Sequence, residues 1–110
     1  MRLSDIHGDE VFDVLADAIG PICAIASDDS LGDLFAGDKP EDMSAKDYAL
    51  QKVKSHMPAL LRSHKDDLIE LLAAINRQTV AEYREGLSIG SLVKDVYELV
   101  TDEDIVSFLA

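Results

Sequence analysis

Apolar residues recur along this chain at helical spacing, and no segment sustains the alternation of a half-buried strand. Val11, Phe12, Leu15, Ala18 and Ile19 trace one helical face, with Asp13 and Asp17 on the other side. That spacing predicts a first helix capped by Asp9 and ended by Gly20-Pro21, with Ile22 to Ala26 continuing the helical path after a kink. Residues 27–43 break the pattern. Gly32, Gly37 and Pro40 stand there among Asp28, Asp29, Asp33, Asp38, Glu41 and Asp42. The expectation is an irregular acidic segment, with Leu31, Leu34 and Phe35 pinning one turn of it to the core.

Ser44-Ala45-Lys46-Asp47 resembles a capping box with Asp in place of Glu. It opens a stripe of Ala49, Leu50, Val53, Met57, Leu60 and Leu61, interrupted by Pro58. A proline inside an unbroken helix costs about 3 kcal/mol, which predicts a break or kink there. From Asp67 to Ile75 apolar residues cover most of the helical circumference, the mark of a central buried helix, with Asn76 as a left-handed stop. Thr79-Val80-Ala81-Glu82 is a second capping box, followed by Tyr83 and Leu87 with Gly86 as terminator. Ser88 or Ser91 starts a helix striped by Leu92, Val93, Val96, Leu99 and Val100. Thr101 is expected to cap a last short helix bearing Ile105, Val106, Phe108 and Leu109, with acids in its first turn where the helix dipole favours them. The whole predicts one all-α domain over residues 1–110, a compact bundle of five to seven short helices.

Composition sharpens this picture. Hydrophobic residues make up 47% of the 110, too many for a disordered chain even at a net charge of −12. Aromatics are only 5% and Trp is absent, so the core must come from Leu, Ile, Val and Ala. The lone Cys23 cannot form an internal disulfide, which suits a reducing cytosol. The first residues show no apolar signal-peptide core, and no apolar run approaches the roughly 18 residues of a membrane span. Residues 1–43 carry eleven acids against two bases, residues 44–86 carry seven bases against six acids, and residues 87–110 carry five acids against Lys94. Such acidity repels phosphate backbones and argues against nucleic-acid binding.

Candidate chemistry is sparse. Asp29-Ser30-Leu31 matches the attachment motif of acyl carrier proteins, but Gly32, Gly37 and Pro40 leave no room for the long helix a carrier needs after that serine. Read as a calcium loop from Asp28, the key positions hold Asp28, Ser30, Gly32, Asp33 and Lys39, and the pattern fails at four of these five. His7, His56 and His64 have no metal-ligand spacing among themselves or with Cys23. No nucleophile–base pair or phosphate loop stands out, so no catalytic, cofactor or metal residue is expected. What remains is the apolar cluster of Leu99, Val100, Ile105, Phe108 and Leu109, which either closes the domain's own core or is offered to a partner.

Residues 58–76, PALLRSHKDDLIELLAAIN, resemble the centre of the siphophage tail assembly chaperones of phages and prophages of Gram-positive bacteria. In that family a Leu-Leu pair and a basic spot precede an acidic and then aliphatic helix. The Thr79-to-Tyr83 cap, the aliphatic helix to Val100, the acidic turn, the Ser107-Phe108-Leu109 ending and the Arg2-Leu3-Ser4-Asp5-Ile6 opening are similar in order. The resemblance implies a non-catalytic protein of the host cytoplasm, absent from the finished virion. It would coat the tape measure protein, recruit tail tube subunits and associate with further copies of itself. An acidic regulator mimicking DNA is the rival reading, motivated by the net charge; it would need its acids spaced along one face like phosphates.

Overall fold

The computed structural model describes residues 3–31 and 40–102. Five α-helices and two short 3-10 turns make up these residues, and no strand occurs among them. The domain is all-α. Helix α1 spans Glu10–Ala26, α2 Ala45–Ser63, α3 Lys65–Ile75, α4 Val80–Glu85 and α5 Ile89–Val100. Helix α1 lies along α3, α5 lies along α2, and α4 folds back on α3.

The core is aliphatic, as the composition demands. Ile22, Ile25, Leu31, Leu60, Leu68, Leu71, Leu72 and Val96 are all essentially inaccessible to solvent. Helix α3 is the centre: Leu68, Ile69, Leu71, Leu72, Ala73 and Ile75 are all buried. A helix buried on most of its circumference must have neighbours on most sides, and α1, α2 and α4 supply them.

Both helix-interior prolines depart from expectation. Helix α1 runs unbroken through Pro21, and α2 runs unbroken through Pro58. A proline removes the hydrogen bond to the carbonyl four residues back, and here those carbonyls belong to Asp17 and Lys54, both exposed residues that water can reach. Pro21 itself is buried beside Ala18, Ile22 and Ile25, so its ring adds to the packing that holds the helix together.

The helix ends follow the local sequence closely. Ser44 Oγ accepts from Asp47 N at 3.1 Å. Thr79 and Glu82 form a reciprocal capping box, with Glu82 N donating to Thr79 Oγ1 and Thr79 N donating to Glu82 Oε1. Ser88 opens α5 by the same exchange with Ser91. Asp9 occupies the cap position of α1 but makes no side-chain cap bond. At the end of α3 the left-handed residue is Arg77 (φ 58°), one position beyond Asn76. Asn76 stays right-handed because its amide donates to Leu72 O at 2.8 Å. Arg77 N and Gln78 N then bond Ala74 O and Ala73 O, completing a Schellman stop.

Thr101 ends α5, with its hydroxyl donating to Tyr97 O at 2.8 Å; the short helix expected beyond it lies outside the described residues. Asp102 is buried, and its Oδ2 accepts from Ser4 N at 3.1 Å. This bond ties the opening 3-10 turn, Leu3–Asp5, to the exit of α5. Of the expected irregular segment, Asp29–Leu31 forms a 3-10 turn with Leu31 fully buried, and residues 32–39, with Leu34 and Phe35, lie outside the description.

Candidate protein-binding surface

Leu99 and Val100 are 3% and 5% exposed. Together with Val96 they form the inward face of α5 and pack in the common core, so these two residues hold the domain together and offer no free surface. Ile105, Phe108 and Leu109 lie outside the described residues. The expected cluster is therefore divided, and its described part belongs to the interior.

The exposed apolar surface sits elsewhere. Phe12 is 74% exposed, and Val11 and Leu15 beside it on α1 are exposed as well. Their spacing, one and four residues apart, aligns them as a ridge along the first two turns. Helix α1 buries a different stripe: Val14, Ala18, Pro21, Ile22 and Ile25. Since the helix continues through Pro21, that stripe extends over its last four turns and takes the core-facing side. Phe12 is rotated well off it and Leu15 lies at its edge, while Val11 continues the stripe into the first turn, where it stays 40% exposed. Ending the helix at Gly20 hides this, because the longer stripe is visible only when residues 21–25 are counted with it. The signal was in the sequence, at the price of admitting a proline into the helix.

A smaller apolar pair stands at the start of α5, where Ile89 is 86% exposed and Val93 follows one turn later. Leu50, Leu61 and Val80 are exposed singly, as is normal for a protein surface.

The charge around α1 is one-sided. Asp9, Glu10, Asp13 and Asp17 are all exposed. Asp13 and Asp17 border a groove against the α3–α4 junction that also includes Glu82 and Gln78. Arg77 reaches Glu10 at 4.0 Å, an exposed pair that contributes little. The ridge is thus an apolar strip on an acidic helix.

Two polar arrangements brace the bundle behind it. Tyr83 Oη donates to Asp95 Oδ2 at 2.6 Å, linking α4 to α5. Burial, and then the Asp95 carboxylate, hold the Tyr83 hydroxyl well above its ordinary titration range. His64, at the α2–α3 corner, contacts Asp28 and Asp67. Ser30, the residue of the carrier-like motif, donates its hydroxyl to Asp28 Oδ1 at 2.7 Å within a tight turn. Among the described residues no group of three or more His, Cys, Asp or Glu is placed to hold a metal ion. No described helix is long and apolar enough to cross a membrane. Compared with protein-family models, with curated proteins and with solved structures, the chain matches none.

Proposed function

We propose that this chain is a non-catalytic tail assembly chaperone of a long-tailed phage. In this reading it works in the host bacterial cytoplasm, covers the tape measure protein, helps recruit tail tube subunits and associates with further copies of itself. It engages neither nucleic acid nor membrane. The resemblance of residues 58–76 and of the ordered elements around them supplies the family. The observation that carries a binding role is the exposed ridge of Val11, Phe12 and Leu15 on a small acidic helical domain.

The physics of the task fits that surface. A tape measure is a long, amphipathic helical chain, and left bare it aggregates through its apolar stripes. A covering protein needs an apolar strip to lay against such a stripe and a charged exterior to keep the complex dissolved. Neighbouring copies on one long partner raise each other's effective concentration, so a modest single contact suffices.

The test is co-expression with the long helical protein that this reading expects to be encoded beside it, followed by co-purification. The wild-type chain should keep that protein soluble and elute with it. Phe12→Asp should preserve the helical circular-dichroism spectrum and the thermal midpoint while losing the partner. Phe108→Asp tests the expected C-terminal surface in the same way. Failure of the wild-type chain to retain the long protein in solution would refute the chaperone reading. Retention by both folded variants would exclude these two surfaces as the contact.

A further inference from the structure

His64 sits where α2 meets α3, and its ring is held from two sides. Nε2 lies 2.7 Å from Asp28 Oδ2, and Nδ1 lies 3.1 Å from Asp67 Oδ2. The imidazole is only 14% exposed. An ionised carboxylate can only accept hydrogen bonds, so both ring nitrogens have to donate. A neutral imidazole has a single N–H and satisfies one carboxylate; the imidazolium satisfies both.

Asp28 is itself the staple of the turn that leaves α1. Its Oδ1 accepts from Ser30 N at 3.0 Å and from Ser30 Oγ at 2.7 Å, and its carbonyl accepts from Leu31 N at 2.9 Å. Leu31 is fully buried in the core. The Asp28–His64 contact therefore fastens this turn to a corner 36 residues further along the chain.

We propose that His64 is a proton-operated clasp: as an imidazolium it ties the Asp28–Leu31 turn to the start of α3, and loss of one proton loosens that tie. Deprotonation turns one nitrogen into an acceptor facing a carboxylate, so one contact breaks. The surviving contact keeps charge on one partner only and weakens as well. The proposal stands apart from the chaperone reading and does not depend on it.

The electrostatic surroundings agree in sign. The hydrogen bond to Asp28, then the one to Asp67, holds His64 above its ordinary value. Ser30 first and His64 second hold Asp28 down at about 2. Arg62, Lys65 and Asp66 line the same surface hollow as His64, and Asp66 is engaged by Arg84 at 3.0 Å. Asp29 adjoins Asp28 on the exposed side of the turn. The two cations oppose the imidazolium, and the carboxylates in direct contact with the ring, at 2.7 and 3.1 Å, outweigh them. The clasp is closed between the titration of Asp28 and that of His64, and it opens as pH rises through the elevated His64 value.

Nuclear magnetic resonance on the intact chain tests this between about pH 5 and 9. The His64 ring protons should titrate above the ~6.5 of a peptide histidine, and Asp28→Asn or Asp67→Asn should bring that midpoint down. Amide exchange at Ser30 and Leu31 should be several-fold slower in the wild type than in His64→Gln below the midpoint, and the two proteins should converge above it. Circular dichroism confirms that His64→Gln is folded. A midpoint at or below that of a peptide histidine, or an exchange ratio flat across the midpoint, would overturn the clasp.

Discussion

Helices α1 and α3 lie against each other and draw on the same aliphatic residues, but they distribute them differently. Helix α3 buries six of its eleven residues, among them Leu68, Ile69, Leu71 and Leu72. Helix α1 is longer and buries one narrow stripe, leaving Val11, Phe12 and Leu15 in solvent. The same side chains are core in one helix and surface in the other, because α3 is enclosed by three neighbours and the first turns of α1 are not. Apolarity alone does not place a residue inside; the number of elements around it does.

Mutations can break or sharpen this contrast. Leu72→Ala should have the largest effect, about 2–5 kcal/mol, from lost transfer energy and the cavity left behind. Urea unfolding would measure it, and a midpoint that hardly moves would mean α3 is peripheral. Thr79→Ala removes the capping box that starts α4 against α3, and should cost about 1 kcal/mol by the same measurement. Glu82 has its carboxyl held below its ordinary value first by Thr79 N, which alanine keeps, and second by the Thr79 hydroxyl, so only the second, smaller share of that depression should be lost in this variant.

Phe12→Ala should shift stability by less than about 0.5 kcal/mol, as expected of a side chain with little burial to lose. If it costs as much as Leu72→Ala, the ridge is packed and the contrast collapses. Arg77→Gly should be a small change of opposite sign, stabilising by a few tenths of a kcal/mol, because glycine adopts the left-handed φ of 58° without a Cβ penalty. The surface contact of Arg77 with Glu10 is too exposed to offset that gain.

The pH dependence of unfolding separates the two regions in another way. His64 titrates higher in the folded state than in the unfolded state, so its contribution is fully present below ~6.5 and is lost as pH rises through the folded value. Stability should therefore fall from pH 6 toward pH 9, and His64→Gln should flatten that slope. A slope unchanged in His64→Gln would assign the effect to other groups.

The class of fold was legible because it rests on local rules. Helical periodicity marked all five helices, the caps at Ser44 and Thr79 hold side-chain bonds where the pattern placed them, and of the two serines open for α5 Ser88 is the cap. The burial of α3 followed from its apolar circumference. The face of α1 was not legible in the same way, since choosing it required knowing that Pro21 would be absorbed. That outcome depends on tertiary packing around Ala18, Ile22 and Ile25, which no local rule contains. The choice between core and partner surface for Leu99 and Val100 was open for a related reason. Leu99 and Val100 look the same in sequence whether α2 covers them or a partner does, and only the packing of α5 on α2 decides. The His64 contacts join positions 36 residues apart and carry no periodic signature at all.

The hydrogen bond from Ser4 N to Asp102 spans 98 positions of the chain. Closing a flexible loop of that length costs on the order of 4 kcal/mol in chain entropy. A hydrogen bond to a charged group returns about 1.5–3 kcal/mol, so this contact cannot gather the chain by itself. It forms once the five helices have already brought the two segments together. In kinetic terms it belongs to the last step of folding, and variants at Asp102 should change the rate of unfolding far more than the rate of folding. By the same reasoning this corner should be the first to open in native-state exchange, ahead of any separation of α1 from α3.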